Sequence, residues 1–172
     1  MSYDLVVFDP NAAPRDHAGF REWFAKQVEW GEDRDYSDPT GTAPELRQWY
    51  DAIRNEYPAM NGPDATDDDD LIDRAGDYNI GRSMIYATFP WSLAEEIYPV
   101  VRRLAVECNV GFYDVSSDEG DGEIYFPGSE LRPPSGGAWR DVAADFKSGN
   151  LSKYVNQTEP PKRRWFDFFR RK

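Results

Sequence analysis

One cysteine and one histidine in 172 residues leave little for redox, metal or imidazole chemistry. Cys108 by itself forms neither an internal disulfide nor a cysteine-based zinc site, which suits a reducing compartment. No window approaches the roughly 18 consecutive apolar residues of a membrane-spanning helix, and the opening MSYDLVVFDP lacks the charged, apolar and small-residue regions of a signal peptide. A cytoplasmic location is the expectation. The phosphate-cradling loops GxGxxG and GxxxxGK followed by Ser or Thr do not occur, so ATP- and NAD-dependent chemistry is not expected. No GxSxG elbow accompanies His17, which reads as a polar surface residue of a helix, and there are no internal repeats. Cys108 falls on an apolar helical stripe and reads as core.

What is present is charge, unevenly placed. The net charge is −12, yet six of the 20 basic and one of the 32 acidic residues lie in 162–172, KRRWFDFFRRK, giving that tail +5 and the rest −17. An acidic body repels nucleic acid and favours a basic protein partner. Aromatic residues make up 15% of the chain, too much ring surface for a disordered acidic protein. One folded domain is the consequence.

Residues 3–8 (YDLVVF) read as a central strand buried on both faces. Phe20, Trp23, Phe24 and Val28 place an apolar stripe on a helix within 14–30. A Thr42–Glu45 capping box opens a second helix carrying Leu46, Trp49, Tyr50, Ile53 and Tyr57, which Pro58 stops. Residues 58–76 form an acidic, Pro- and Gly-containing loop, and 77–89 are extended, either one strand or a hairpin. Ser92 and Glu95 make a second capping box for a helix with Ile97, Val101, Leu104, Ala105 and Cys108, where Pro99 should kink it. Strands follow at 110–115 and 123–126, joined by SSDEGDG. The order β-αα-β(β)-α-β-β predicts an α+β sandwich: a mixed, mainly antiparallel sheet under three main helices, ferredoxin-like or related. That domain spans 1–127. Residues 128–161 read as linker and a short amphipathic helix around Trp139, Val142, Ala143 and Phe146, and 162–172 as the basic aromatic tail.

No catalytic residue, cofactor or metal is assigned. The run Asp67, Asp68, Asp69, Asp70 and the SSDEGDGE stretch lack the ligand spacing of a helix–loop–helix calcium site and read as solvated loops. The binding candidates are Trp30, Glu32, Asp33, Asp35, Tyr36 and Asp38, where rings supply anchor area and carboxylates accept from Arg and Lys, together with Asp67–Asp70. Equally, Trp30 and Tyr36 could close the core over a loop. In the tail, Trp165, Phe168 and Phe169 share one helical side, with Arg163, Arg164 and Arg170 mostly elsewhere. Such a segment suits an anionic membrane, a partner groove, its own acidic body or a second copy in a homodimer; docking on the body is favoured, because so short a segment anchors weakly in lipid. Two rivals to a binding protein are an enzyme gathering Asp9, Asp77, Asp114 and Tyr86 in one pocket and a self-associating structural protein.

With MSYDLVVFDP, WYDAIRNEYPAMNGP, DYNIGRSMIYATFPWSLAEE and GFYDVSS, the chain resembles a group of small, acidic, uncharacterised bacterial proteins that open with MSYDL. More distantly it resembles immunity-type proteins of bacterial polymorphic toxin systems. The resemblance covers roughly 1–127, is one of general character and carries over no catalytic residue. The charge of −17 on the body, the acid and aromatic clusters and the lack of a catalytic constellation lead to the expectation of a non-enzymatic, immunity-type protein whose acidic face covers the basic active site of a toxin domain.

Because the apolar stripes already give a consistent core, the thermal midpoint is expected not to move on adding EDTA. A fall of many degrees in a chelator-containing melt would make one of the acidic loops an ion site.

Overall fold

The apolar run at 3–8 becomes strand β1 (Ser2–Phe8) in the computed structural model, which describes residues 2–68, 70–116, 122–132 and 148–149. Then come α1 (His17–Gln27), α2 (Pro44–Ile53), β2 (Asp77–Ile80), β3 (Met84–Pro90), α3 (Ala94–Glu107), β4 (Gly111–Asp114), β5 (Ile124–Phe126) and β6 (Ser129–Arg132). The stretch 77–89 is thus a hairpin. Among the described residues the strands form one six-stranded sheet in the order β2-β3-β1-β4-β5-β6, and every pair of neighbours is antiparallel. Its first four strands follow the ferredoxin-like order, with the β5–β6 hairpin added beyond β4.

The sheet passes residue 127, where the composition reads as linker. Pro127 and Gly128 form a two-residue turn instead, Gly128 taking φ 80° so that Ser129 pairs with Phe126. The SSDEGDG loop from 117 to 121, the helix expected at 139–146 and the tail lie outside the described residues.

Side-chain alternation along β1 sets the layers. Tyr3, Leu5 and Val7 face α2 and α3 in one core, with Trp49, Tyr50, Ile53, Ile97, Val101 and Leu104. Val6 and Phe8 face α1 in a second core, with Phe20, Phe24, Met84, Tyr86, Tyr113 and Phe126. The helices therefore cover both faces. Gly111, paired with Phe8, lets the Phe8 ring lie across its backbone; a Cβ there would stand 2.2 Å from that ring.

Helix starts differ from the sequence reading in an instructive way. At α1 the Asp16 carboxylate caps by accepting from Gly19 N at 2.8 Å. Thr42 does not cap α2: its hydroxyl donates to the Gly81 carbonyl, Ala43 N donates to Arg82 O at 2.9 Å, and Pro44 opens the helix without a side-chain cap. Ser92 does not cap α3 either, because residues Trp91–Leu93 form a 3-10 turn and Leu93 takes the cap position; Glu95 and Glu96 in the first turn favour the helix dipole. Pro99 sits inside α3.

Trp49 and Ile53 are fully buried against the sheet, Trp49 edge-on to Tyr78. Trp49→Ala is expected to cost about 3–5 kcal/mol and Ile53→Ala about 2–5 kcal/mol in urea unfolding. Trp49→Phe should cost less, because the buried indole N–H finds no acceptor among the described residues. An unchanged urea midpoint for Trp49→Ala would refute the core assignment.

Candidate functional site

Two acidic loops meet at the β2 edge of the sheet. Past α1 the chain turns through Trp30 at φ 51°, a left-handed conformation costly for a bulky residue. The turn lays the Trp30 ring edge-on to Tyr36 at 4.9 Å and to Tyr86 at 6.2 Å, half-buried over the α1-side core. Tyr36 holds the loop twice. Its hydroxyl accepts from Glu32 N at 2.7 Å, and its carbonyl accepts from Ile80 N at 2.7 Å, covering part of the β2 edge.

The carboxylates of this loop are engaged locally. Glu32 accepts from Arg82 N at 3.1 Å and pairs with Arg82 Nε at 3.4 Å and Arg34 at 3.9 Å, bracing the β2–β3 turn. Arg34, largely covered, donates to the carbonyls of Asp38 and Thr40. Asp35 accepts from Ser37 N and Oγ, and Asp38 from Thr40 N, which holds both carboxyls below the usual range. Asp33 and Asp35 are exposed; Glu32 and Asp38 are half-buried.

The second loop, 58–76, is folded by bridges from Ala59 to Ala65 and to Gly76. Gly62, at φ 78°, packs on the first loop: a Cβ would stand 2.7 Å from Ser37 Cβ. Asp64 is taken by Arg54 at 2.6 Å, and burial beside that carboxylate pushes the Tyr50 hydroxyl up to about 12. Arg74 lies over the Tyr57 ring and reaches Glu96 at 3.3 Å and Glu56 at 3.7 Å. Asp67, Asp68, Asp70 and Asp73 are exposed and form no ion pair with a described residue; Asp69 lies outside the described residues. Among them the loop exposes Met60 (51%), Leu71 (37%) and Ile72 (49%).

A third group is buried. Asp114 ends β4 and stands opposite Glu123, donating its N–H to the Glu123 carbonyl at 3.0 Å. Both carboxylates are 1% exposed on the α3 side of the sheet. Arg102 Nε reaches Glu123 at 2.6 Å, Tyr98 hydroxyl donates to the other Glu123 oxygen, and Tyr3 hydroxyl donates to Asp114 at 3.4 Å. Arg102 also lies over the Tyr125 ring at 3.6 Å. Burial, then the bond to Glu123, raises the Tyr98 hydroxyl well above its ordinary value. Tyr98 and Arg102 stand one turn apart on α3, so the group ties the short β5 strand to that helix.

The proposed pocket of Asp9, Asp77, Asp114 and Tyr86 does not assemble. Asp9 follows the Phe8 end of β1, whereas Asp114 pairs with Leu5; Asp77 starts the edge strand, and Tyr86 faces α1, across the sheet from Asp114. His17 is exposed, and Cys108 is buried, which raises its thiol. Among the described residues no three His, Cys, Asp or Glu side chains converge as a metal site, and no helix is long and apolar enough to cross a membrane. Arg163, Arg164, Trp165, Phe168, Phe169 and Arg170 lie outside the described residues. Composition alone passes over Glu123, Arg102 and Tyr98; the signal available is the one-turn spacing of Tyr98 and Arg102 and a lone glutamate opening the apolar strand 123–126. Comparison with known proteins finds no matching family model, no matching curated protein and no matching solved structure.

Arg102→Met strands a buried carboxylate and is expected to cost about 3–5 kcal/mol. Tyr98→Phe removes one hydrogen bond to a charged group and is expected to cost about 1.5–3 kcal/mol. Urea unfolding of the two variants and their double mutant checks both values; equal stability of Arg102→Met and the wild type would remove the clamp.

Proposed function

We propose that this protein is a non-enzymatic binding protein of the immunity type, which covers a basic protein partner such as a toxin domain in the cytoplasm. One observation carries the reading. Of the four large apolar side chains exposed among the described residues, three (Met60, Leu71 and Ile72) lie in the loop that also presents Asp67, Asp68, Asp70 and Asp73. Exposed apolar side chains beside unpaired charge are what a protein interface uses: the aliphatic groups supply contact area, and the charges steer and select the partner. Arg and Lys of the partner would meet carboxylates that no described residue neutralises.

The segment 30–38 serves this surface from behind. Glu32, Arg34, Asp35 and Asp38 shape the loop, Ser37 abuts Gly62, and Trp30 with Tyr36 closes the core. Partner contact is accordingly assigned first to 60–73 and second to exposed Asp33 and Asp35.

Affinity capture from the cell of origin tests this. The wild-type chain should retain a protein with a basic face, and Leu71→Asp/Ile72→Asp should lower its recovery by about tenfold or more, the effect of at least 1.4 kcal/mol at the contact. Val106→Asp, at the remaining exposed apolar position, should leave recovery unchanged. Equal recovery by the loop variant and the wild type rejects the surface; an acidic partner rejects the electrostatic argument.

A further inference from the structure

The chain carries its own complement to the 60–73 surface. Residues 162–172 hold a charge of +5 and the rings Trp165, Phe168 and Phe169, while 1–161 hold −17. We propose that residues 162–172 dock in cis on the apolar and acidic surface of this loop, occupying the site read above as the partner's. The inference rests on that reading of the loop as a docking surface, and does not require that a partner exist.

Three arguments select this surface. First, it is where apolar side chains stand in water. Met60, Leu71 and Ile72 keep between a third and a half of their area exposed, so rings laid on them exclude water from both sides. Second, its carboxylates are available. In the neighbouring loop Glu32 is held by Arg34 and Arg82, and although Asp33 and Asp35 are exposed there without an ion pair, no large apolar side chain stands exposed beside them among the described residues. Asp67, Asp68, Asp70 and Asp73 make no ion pair among the described residues, although Asp68 accepts from Asp70 N at 3.0 Å, and the two nearest arginines in sequence are already taken: Arg54 by Asp51 and Asp64, Arg74 by Glu56 and Glu96. Arg163, Arg164 and Arg170 offer planar donors to match them.

Third, the tether is long enough. Arg132 ends β6 at one edge of the sheet, and the loop flanks β2 at the other. Five strand spacings separate the edges, about 24 Å at about 4.8 Å each. The number of residues between Arg132 and Lys162 is ample for that span, since about ten residues of extended chain already reach about 33 Å, and a tether within one chain keeps the tail at high local concentration. At an effective concentration of about 1 mM, a contact with Kd of about 100 μM is occupied about ten to one.

Hydrogen exchange of the full chain against its Trp165→Ser/Phe168→Ser/Phe169→Ser variant tests the proposal without any partner. Amides in 66–75 should exchange about tenfold more slowly in the wild type at low salt. The difference should shrink at high salt, where screening shortens the Debye length below its physiological value of about 8 Å and leaves the ring contact alone, and likewise in the full-length Asp67→Asn/Asp68→Asn/Asp70→Asn/Asp73→Asn variant, which lacks the charges. Equal exchange in 66–75 for wild type and ring variant at low salt overturns the proposal. Protection that fades on dilution, in step with a dimer mass by light scattering, overturns docking in cis and assigns the surface to a second copy. Ring-dependent flotation with phosphatidylserine vesicles, with no protected amides in the free protein, overturns it in favour of a membrane. Loss of tail docking would leave the capture experiment above to stand or fall separately.

Discussion

Strand β1 is buried on both faces and hydrogen-bonded on both edges, and the rest of the fold follows from that. A strand carrying Leu5 and Val7 toward one side and Val6 and Phe8 toward the other needs cover on both. The ferredoxin-like order gives α2 and α3 to one face. By itself this would leave Phe8, Met84, Tyr86 and Tyr113 in water. The helix α1, inserted directly after β1, covers them with Phe20 and Phe24. Its insertion has a geometric consequence: the chain must return from the α1 layer to the α2 layer around an edge of the sheet. Segment 28–43 makes that passage beside β2, where Tyr36 covers part of the edge and Ala43 and Thr42 bind the β2–β3 turn. The acidic loops lie where they do because the crossing has to happen somewhere.

Much of this was legible in the sequence, for a physical reason. Periodicity is local, so the Phe20/Phe24 and Trp49/Ile53 stripes and the alternation in β1 give helices and strands without knowledge of their partners. Capping was less legible. A capping hydroxyl must accept from a helix N–H, and that depends on which residue the fold places at the cap; here the Thr42 hydroxyl donates to the Gly81 carbonyl, far off in sequence, and Ala43 takes the cap position. Strand β6 was hidden by Pro127 and Gly128, which mark a turn and a linker alike.

The candidate surface was legible as composition but not as chemistry. The acidic residues of 30–38 and 64–73 look equivalent in sequence, and folding separates their surroundings: Arg34 and Arg82 fall against Glu32 and Arg54 against Asp64, and among the described residues only the second loop sets exposed Met60, Leu71 and Ile72 beside its exposed aspartates. Glu123 was missed because its partners Tyr98 and Arg102 meet it only once α3 has packed on the sheet. Long-range pairing of single charges leaves no periodic trace.

The loop 58–76 can be weighed by what folding alone would select there. Folding leaves more than a third of Leu71 and about half of Ile72 in water, and a solvated connection would be served as well by polar residues at those exposed faces. Exposed Leu and Ile also invite self-association. The aspartates around them oppose it, since two copies approaching face to face bring like charges together. On the reading proposed above, such a surface would resist its own copies and acidic neighbours and would hold a group that is both basic and apolar. Apolar contact then supplies the attraction and charge decides who receives it, a division of roles in which neither feature suffices: aspartates without Leu71 and Ile72 would bind any cation weakly, and Leu71 and Ile72 without aspartates would bind any grease.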